Sequence, residues 1–281
     1  MNQESLDRPF GYRLGLPAWA FGGWQGPYFR KSVPALADYA QVFNAVEGNT
    51  SFYRVPSSSL IARWREAVAG ADFRFCFKLP RTVTHDRRAD FDDLQQFLRV
   101  IEPLGDHLGP LLVQFPASVG PAAIERIEAV LERLPADLRP ALELRHRAFF
   151  DQPEHIEPLL ERYRAARITM DTRALFGGDL NHPDVRAARH EKPDLPVLRT
   201  VSNDLRFLRL VLHPSGSGNQ PVIDEWARAV ADDLEQGRRS YVFIHCPNNL
   251  HCPVFAQQFH RSIARHRIVP GFPAWPSGAL L

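Results

Sequence analysis

The feature that most constrains this chain is an eightfold alternation of short apolar runs with longer stretches of helical period. The runs read "YRLGLPAW" (12–19), "FNAVEG" (43–48), "FRFCFKLP" (73–80), "GPLLVQFP" (109–116), "PALELRH" (140–146), "RITMDT" (167–172), "RFLRLVLHP" (206–214) and "SYVFIHCP" (240–247). Between them lie amphipathic patterns such as "SSLIARWREAVA", "FDDLQQFLRVIEPL" and "VIDEWARAVADDLEQG". Strand followed by helix, repeated, implies right-handed parallel crossovers and a sheet covered by helices. A polar residue closes seven of the runs: Glu47, Lys78, Gln114, Glu143, Asp171, His213 and His245, at steps of 31, 36, 29, 28, 42 and 32 residues. Each step is near the ~30 residues of one βα unit. Eight units in 281 residues predict an α/β fold, a single (β/α)8 TIM-type barrel over 1–281, with 1–11 and 267–281 as peripheral tails. The long step before His213 contains "ALFGGDLNHPDVRAARHEKPDLPVLRTVSN" (174–203), which predicts a long, partly helical loop after strand 6.

In a barrel alternate strand residues point inward, and the carboxyl ends of the strands carry the active site. A two-residue period groups Ala45 with Glu47 and Asn49, Cys76 with Lys78, Leu112 with Gln114, and Glu143 with Arg145. It likewise groups Thr169 with Asp171, Arg209 with His213, and Tyr241 with His245. Phe73, Phe75 and Phe77 then face the helices. Seven polar strand ends in a dry core would cost several kcal/mol per unpaired group, so a solvated pocket is the better expectation. The competing reading of Glu143 and Arg145 is an internal ion pair. Three acids (Glu47, Glu143, Asp171) against three bases (Lys78, Arg145, Arg209) suit a polar or anionic organic ligand better than a divalent metal, which fixed cations repel. No cofactor is expected; the rival divalent-metal site would draw on Glu47, Glu143, Asp171, His213 and His245.

The apolar fraction of 44% and charged fraction of 23% are those of a soluble globular protein. No run approaches the ~18 apolar residues of a membrane span, and "MNQESLDRPFGYRL" has no signal-peptide pattern. Three cysteines read as reduced thiols in a cytoplasmic protein. A net charge of +2 and pI near 8.5 fall short of a nucleic-acid-binding domain; the basic clusters at 81–88 and 186–192 read as solvated loop faces. In "HPSGSGNQP" (213–221), Gly216 and Gly218 would let backbone amides approach a phosphate, although tight turns look the same. "HCPNNLHC" (245–252) lacks the spacing of a zinc finger, and a strand would turn His245 and Cys246 to opposite faces.

The segments "GLPAW" (15–19), "VEGNTSFYRVP" (46–56), "FRFCFKLP" (73–80), "THDRR" (84–88), "LGPLLVQFP" (108–116) and "ALELRH" (141–146) occur in the order seen in the YecE-like family, catalogued as a domain of unknown function, which the chain resembles from about Leu14 to Arg265. The resemblance implies a TIM-barrel fold and a bacterial cytoplasmic protein, without assigning an activity. Its motif positions fall on Glu47, Asn49, Phe52, Tyr53, Pro56, Lys78, His85, Gln114, Pro116, Glu143, Arg145 and His146. The chain departs from the family pattern at Leu16-Pro17-Ala18-Trp19, where Ser-Gly-Trp is usual, and at "RLVLHPSG", where Arg-x-His-Gly is usual. The expected function is an enzyme (isomerase, epimerase, lyase or hydrolase) acting on a small sugar-like or phosphorylated substrate. Glu47 and Glu143 are its candidate base and acid, with Lys78 and Asp171 completing the catalytic set. Lys78 and Arg145 would hold an anion, and Lys78 could instead form a Schiff base. Asn49, Tyr53, His85, Gln114, His146, His213 and His245 would orient the substrate. The rivals are a metal-dependent phosphoesterase or nuclease and a non-catalytic binder of a metabolite or nucleic acid.

Overall fold

Each apolar run forms a strand: β1 Arg13–Leu16, β2 Ala45–Gly48, β3 Arg74–Phe77, β4 Leu111–Phe115, β5 Pro140–Leu144, β6 Ala166–Asp171, β7 Leu205–Val211 and β8 Arg239–His245. The computed structural model describes residues 10–31, 33–189 and 192–278. The strands pair in parallel in the order β3-β2-β1-β8-β7-β6-β5-β4. The ring closes between β3 and β4 through bridges at Phe75–Leu108 and Lys78–Leu112. There Gly109 donates its N–H to the Phe75 carbonyl and Leu79 donates to Leu112, both at 2.9 Å. The expected (β/α)8 barrel is therefore the observed fold.

The barrel interior is a separate apolar cluster, including Ala45, Cys76, Leu112, Ala141, Ala166, Ile168, Phe207 and Phe243. Small residues on one side make room for the large rings of β7 and β8. Gly15 shows the constraint: a β-carbon there would lie 2.2 Å from the Ala45 carbonyl oxygen and 2.9 Å from the Phe243 ring. Outside, Phe75 and Phe77 pack on Trp64, with ring centroids 6.1 and 5.8 Å away. The helix Ser58–Ala67 that carries Trp64 is capped by Ser57, which accepts from Leu60 N–H. In helix Phe91–Ile101, Asp90 takes the same role, and Leu94, Phe97 and Ile101 are buried.

Two expectations need correction. On β6 it is Ala166 and Ile168 that join the interior cluster, so Thr169 and Asp171 belong to the outer face. The Asp171 carboxylate accepts from Trp226 Nε1 (2.7 Å), on the covering helix Asn219–Glu235, and from Arg173 (2.7 Å). The carboxyl-terminal segment is no tail: Trp275 is buried, and Phe272 and Trp275 close on Phe10, Phe43 and Tyr28. Residues 1–9 and 279–281 of the expected tails lie outside the described residues. The turn at 213–219 is held by contacts of its own. Gly216 and Gly218 hold positive φ (77° and 76°), and Asn219 Oδ1 accepts from the His213 N–H at 2.9 Å. The loop after β6 is partly helical, as expected, with helices Arg173–Gly177 and Pro183–Ala188 before an extended run into β7. Among the described residues, no helix is long and apolar enough to cross a membrane.

Candidate functional site

The inward parity that places Ala45, Ala141 and Phe207 in the apolar interior puts Glu47, Glu143 and Arg209 one layer higher, at the carboxyl ends of β2, β5 and β7. Arg209 bridges the two carboxylates. It donates from Nε and an Nη to the Glu47 oxygens (2.9 and 2.8 Å) and from the other Nη to Glu143. Glu47 also receives Asn49 Nδ2 at 2.8 Å and His245 Nε2 at 3.2 Å. The other Glu143 oxygen receives Arg145 Nε at 2.8 Å. All three charges are buried, Glu47 completely.

Burial alone would raise the Glu47 carboxyl, but Arg209 and His245 outweigh it and hold its pKa well below the usual carboxylate range. At Glu143 burial is likewise overcome, by Arg209 and then Arg145, which bring the pKa to about 2. Two ionised carboxylates, each held by buried cationic donors, are weak bases and hold no proton to give near neutral pH. The expected acid–base division between them does not hold, because the same guanidinium pushes both in one direction.

Above this floor opens a cavity of about 740 Å³. Lys78, Gln114, His85, Arg145, Asn49, Tyr53 and His245 line it together with Phe52, Arg81, Asp184, Lys192 and Arg209. The local sequence explains the arrangement. After β2 the chain turns through Asn49–Phe52, and the Ser51 hydroxyl approaches the Lys78 carbonyl at 2.6 Å, tying that turn to the end of β3. Phe52 is thereby set with its ring centroid 3.7 Å from Lys78 Nζ. Pro80 ends β3, and the short helix Arg81–Thr84 delivers His85. The Gln114 amide is oriented by Arg145, which donates to its Oε1 at 3.2 Å, so Gln114 Nε2 donates to His85 Nε2 at 3.3 Å. His85 then carries its proton on Nδ1, 2.8 Å from Thr84 Oγ1. Burial, with Lys78 and Arg145 nearby, lowers the His85 pKa to about 4, and burial lowers that of His245 to about 4 against the pull of Glu47. Both rings are neutral at pH 7.

Lys78 is different. Burial lowers its ammonium to about 8; Glu143 opposes the shift, and Arg209 and Arg145 add to it. Among the described residues, its ammonium has no hydrogen-bond or ion-pair partner, only the Phe52 face. Lys192 also lines the cavity, and burial followed by Arg209 lowers its pKa too. It was missed in the sequence analysis, as were Arg81, Asp184 and the full role of Arg209. The available signal was composition: of the 34 Lys and Arg residues only three are Lys (Lys31, Lys78, Lys192), and two of the three lie in this cavity. The clusters at 81–88 and 186–192, expected to be solvated loop faces, contribute Arg81, His85, Ala187, Ala188 and Lys192 to its wall.

Three expected site residues lie elsewhere. Asp171 is outside the barrel, as described above. His213 is fully buried against Ser215 Oγ (2.7 Å) and the Asp179 carbonyl (3.1 Å). The His146 ring packs over Gly120 and Phe149 and accepts from the Ala148 N–H at 3.2 Å. The five residues named for a divalent metal therefore do not converge, and no group of three or more His, Cys, Asp or Glu among the described residues is arranged to hold one.

Comparison with known proteins follows the geometry. The model of the family described as "Protein of unknown function DUF72" matches residues 13–278. UPF0759 protein YecE of Escherichia coli (strain K12) is 29% identical over 270 residues, covering 92% of this chain and 97% of that protein. A solved DUF72 family protein from Enterococcus faecalis V583 superposes with a TM-score of 0.69 at 20% identity, over 90% of this chain and 95% of that one. Another, from Thermotoga maritima MSB8, gives 0.63 at 21%, over 90% and 99%. Both share the barrel.

Proposed function

Since the chain belongs to the DUF72 family, whose name carries no activity, the site must be read from its own chemistry, and we propose that the barrel mouth is the active site of an enzyme acting on a small anionic, polar organic substrate. One observation carries this reading. Five cations (Lys78, Arg81, Arg145, Lys192 and Arg209) line the cavity with one carboxylate, Asp184. Counting Glu47 and Glu143 beneath, and Asp86, which pairs with Arg81 at 3.0 Å, four acids among the described residues face five bases. A phosphate or carboxylate restores the balance, and Arg81, Arg145 and Lys192 supply charged donors for it. The buried carboxylates hold Arg209 in place and tune the lysine; Lys78 is the group through which protons move. Isomerisation, epimerisation and lyase chemistry all fit this equipment.

A thermal-shift panel of phosphorylated and carboxylated metabolites, with neutral sugars as controls, tests the reading. Anionic members are expected to raise Tm in the wild type and much less in Lys192→Ala. Equal shifts in both proteins, or a response to neutral sugars alone, would refute it.

A further inference from the structure

Lysine is nearly absent from this chain, yet two of its three lysines face the mouth. For binding an anion, arginine would serve as well or better, since its guanidinium offers a fixed fork of donors. What arginine cannot do is lose its proton and act as a nucleophile. The Lys78 surroundings suit that second task. The side chain is half-buried, its ammonium rests on the Phe52 ring 3.7 Å from the centroid, and no described acceptor receives its protons. Arg209, Arg145 and Lys192 line the same cavity. The nearest buried carboxylates are committed elsewhere, Glu47 and Glu143 to Arg209 and Glu143 also to Arg145. A lysine desolvated among cations is a recognised way of freeing an amine near neutral pH.

We infer that Lys78 is a nucleophilic catalytic residue that forms an imine with the carbonyl group of an anionic aldehyde, ketone or keto acid. The inference rests on the anion-binding reading above and narrows its substrate to carbonyl compounds. The neutral Nζ lone pair attacks the carbonyl carbon, and the π electrons move to oxygen. Nitrogen loses a proton and oxygen gains one, giving the carbinolamine. A second proton, taken from solvent at the open mouth, converts that hydroxyl to water, the C–O bond breaks as water leaves, and the nitrogen lone pair forms C=N. No oxidant or further reactant is needed. Arg145 and Lys192 face the developing oxyanion, and water at the open mouth relays the proton from nitrogen to oxygen. The protonated imine then draws electrons from the adjacent C–C or C–H bond, the step common to lyases and isomerases of this type. The lowering of the Lys78 pKa to about 8 leaves roughly a tenth of the amine neutral at pH 7, against well under a thousandth for an ordinary lysine.

Trapping tests this directly. The folded protein is treated at pH 7 with pyridoxal 5′-phosphate, an anionic aldehyde, reduced with sodium borohydride, digested and analysed by mass spectrometry. The inference expects a reduced adduct at Lys78 forming at least tenfold faster than at exposed Lys31, slowed by added inorganic phosphate. It also expects trapping at Lys78 with dihydroxyacetone phosphate or pyruvate. Lys78→Arg is expected to fold, to keep the phosphate-induced rise in Tm and to lose the adduct. Labelling at Lys31 at an equal rate, or at Lys192 in place of Lys78, overturns the imine. A phosphate-induced rise in Tm without labelling of Lys78 overturns the imine and leaves the anion site standing. Loss of both overturns the two together.

Discussion

Arg209 is the residue on which the mouth is built, because one guanidinium bridges two buried carboxylates. Removing one partner of a buried ion pair costs about 3–5 kcal/mol, since the remaining charge is left uncompensated. Arg209→Met is therefore expected to lose about that much unfolding free energy at pH 7, read from urea titrations. The deficit also has a pH signature. Glu47 and Glu143 have folded pKa values below their unfolded values, so their stabilisation is fully present above pH ~4.5 and is lost as pH falls through the folded values, about 2 for Glu143. The curves of wild type and Arg209→Met should converge across that window, and a difference constant from pH 7 to pH 3 would contradict the charge account. Much of this site could be read from the sequence. Glu47, Lys78, Gln114, Glu143, Arg145 and His245 stand at strand ends in the inward phase. The direction of the carboxylate pKa shifts could not be read, because it depends on which cation lies between them.

Where strand and loop elements were misjudged, the cause is local and physical. On β6 the polar residues alternate in phase with Asp171, and that phase is the outward one. A helix-covered face can be polar when its partners are built in: Arg167 donates to the Phe149 carbonyl, Thr169 to Leu198, and Asp171 accepts from Trp226. Periodicity identifies two faces of a strand; it does not say which one meets the axis. The loop after β6 was recognised as long and partly helical, but its path was not, because it is fixed by side chains far along the chain. Thr169 and Thr172 pin it to the barrel rim through the Leu198 and Pro193 carbonyls at 2.9 and 3.2 Å. Lys192 sits beside this anchor. Thr172→Val removes one such bond, worth ~0.5–1.5 kcal/mol. Hydrogen exchange over 192–200 is expected to speed up and anion affinity to fall several-fold, with the urea midpoint of the barrel nearly unchanged. Unaltered exchange with unaltered affinity would show that the anchor does not position the wall.

For the molecule as a whole, the eightfold alternation was sufficient to identify the barrel, since right-handed crossovers leave few other closed arrangements for eight parallel strands. The apolar interior seals the axis below Glu47, Arg209 and Glu143, so the carboxyl-terminal mouth is where the polar layer meets solvent. Three-dimensional closure also unites sequence-distant cations: Lys78 and Arg81 from the β3 end, Arg145 from β5, Lys192 from the loop after β6 and Arg209 from β7. Titration calorimetry with inorganic phosphate tests their convergence on one cavity. One phosphate site per chain is expected, weakened several-fold between 50 and 200 mM sodium chloride, over which the Debye length falls by about half, and abolished in the Lys78→Met/Lys192→Ala double variant. Phosphate uptake that is absent at millimolar concentration, or unchanged in the double variant, would contradict it.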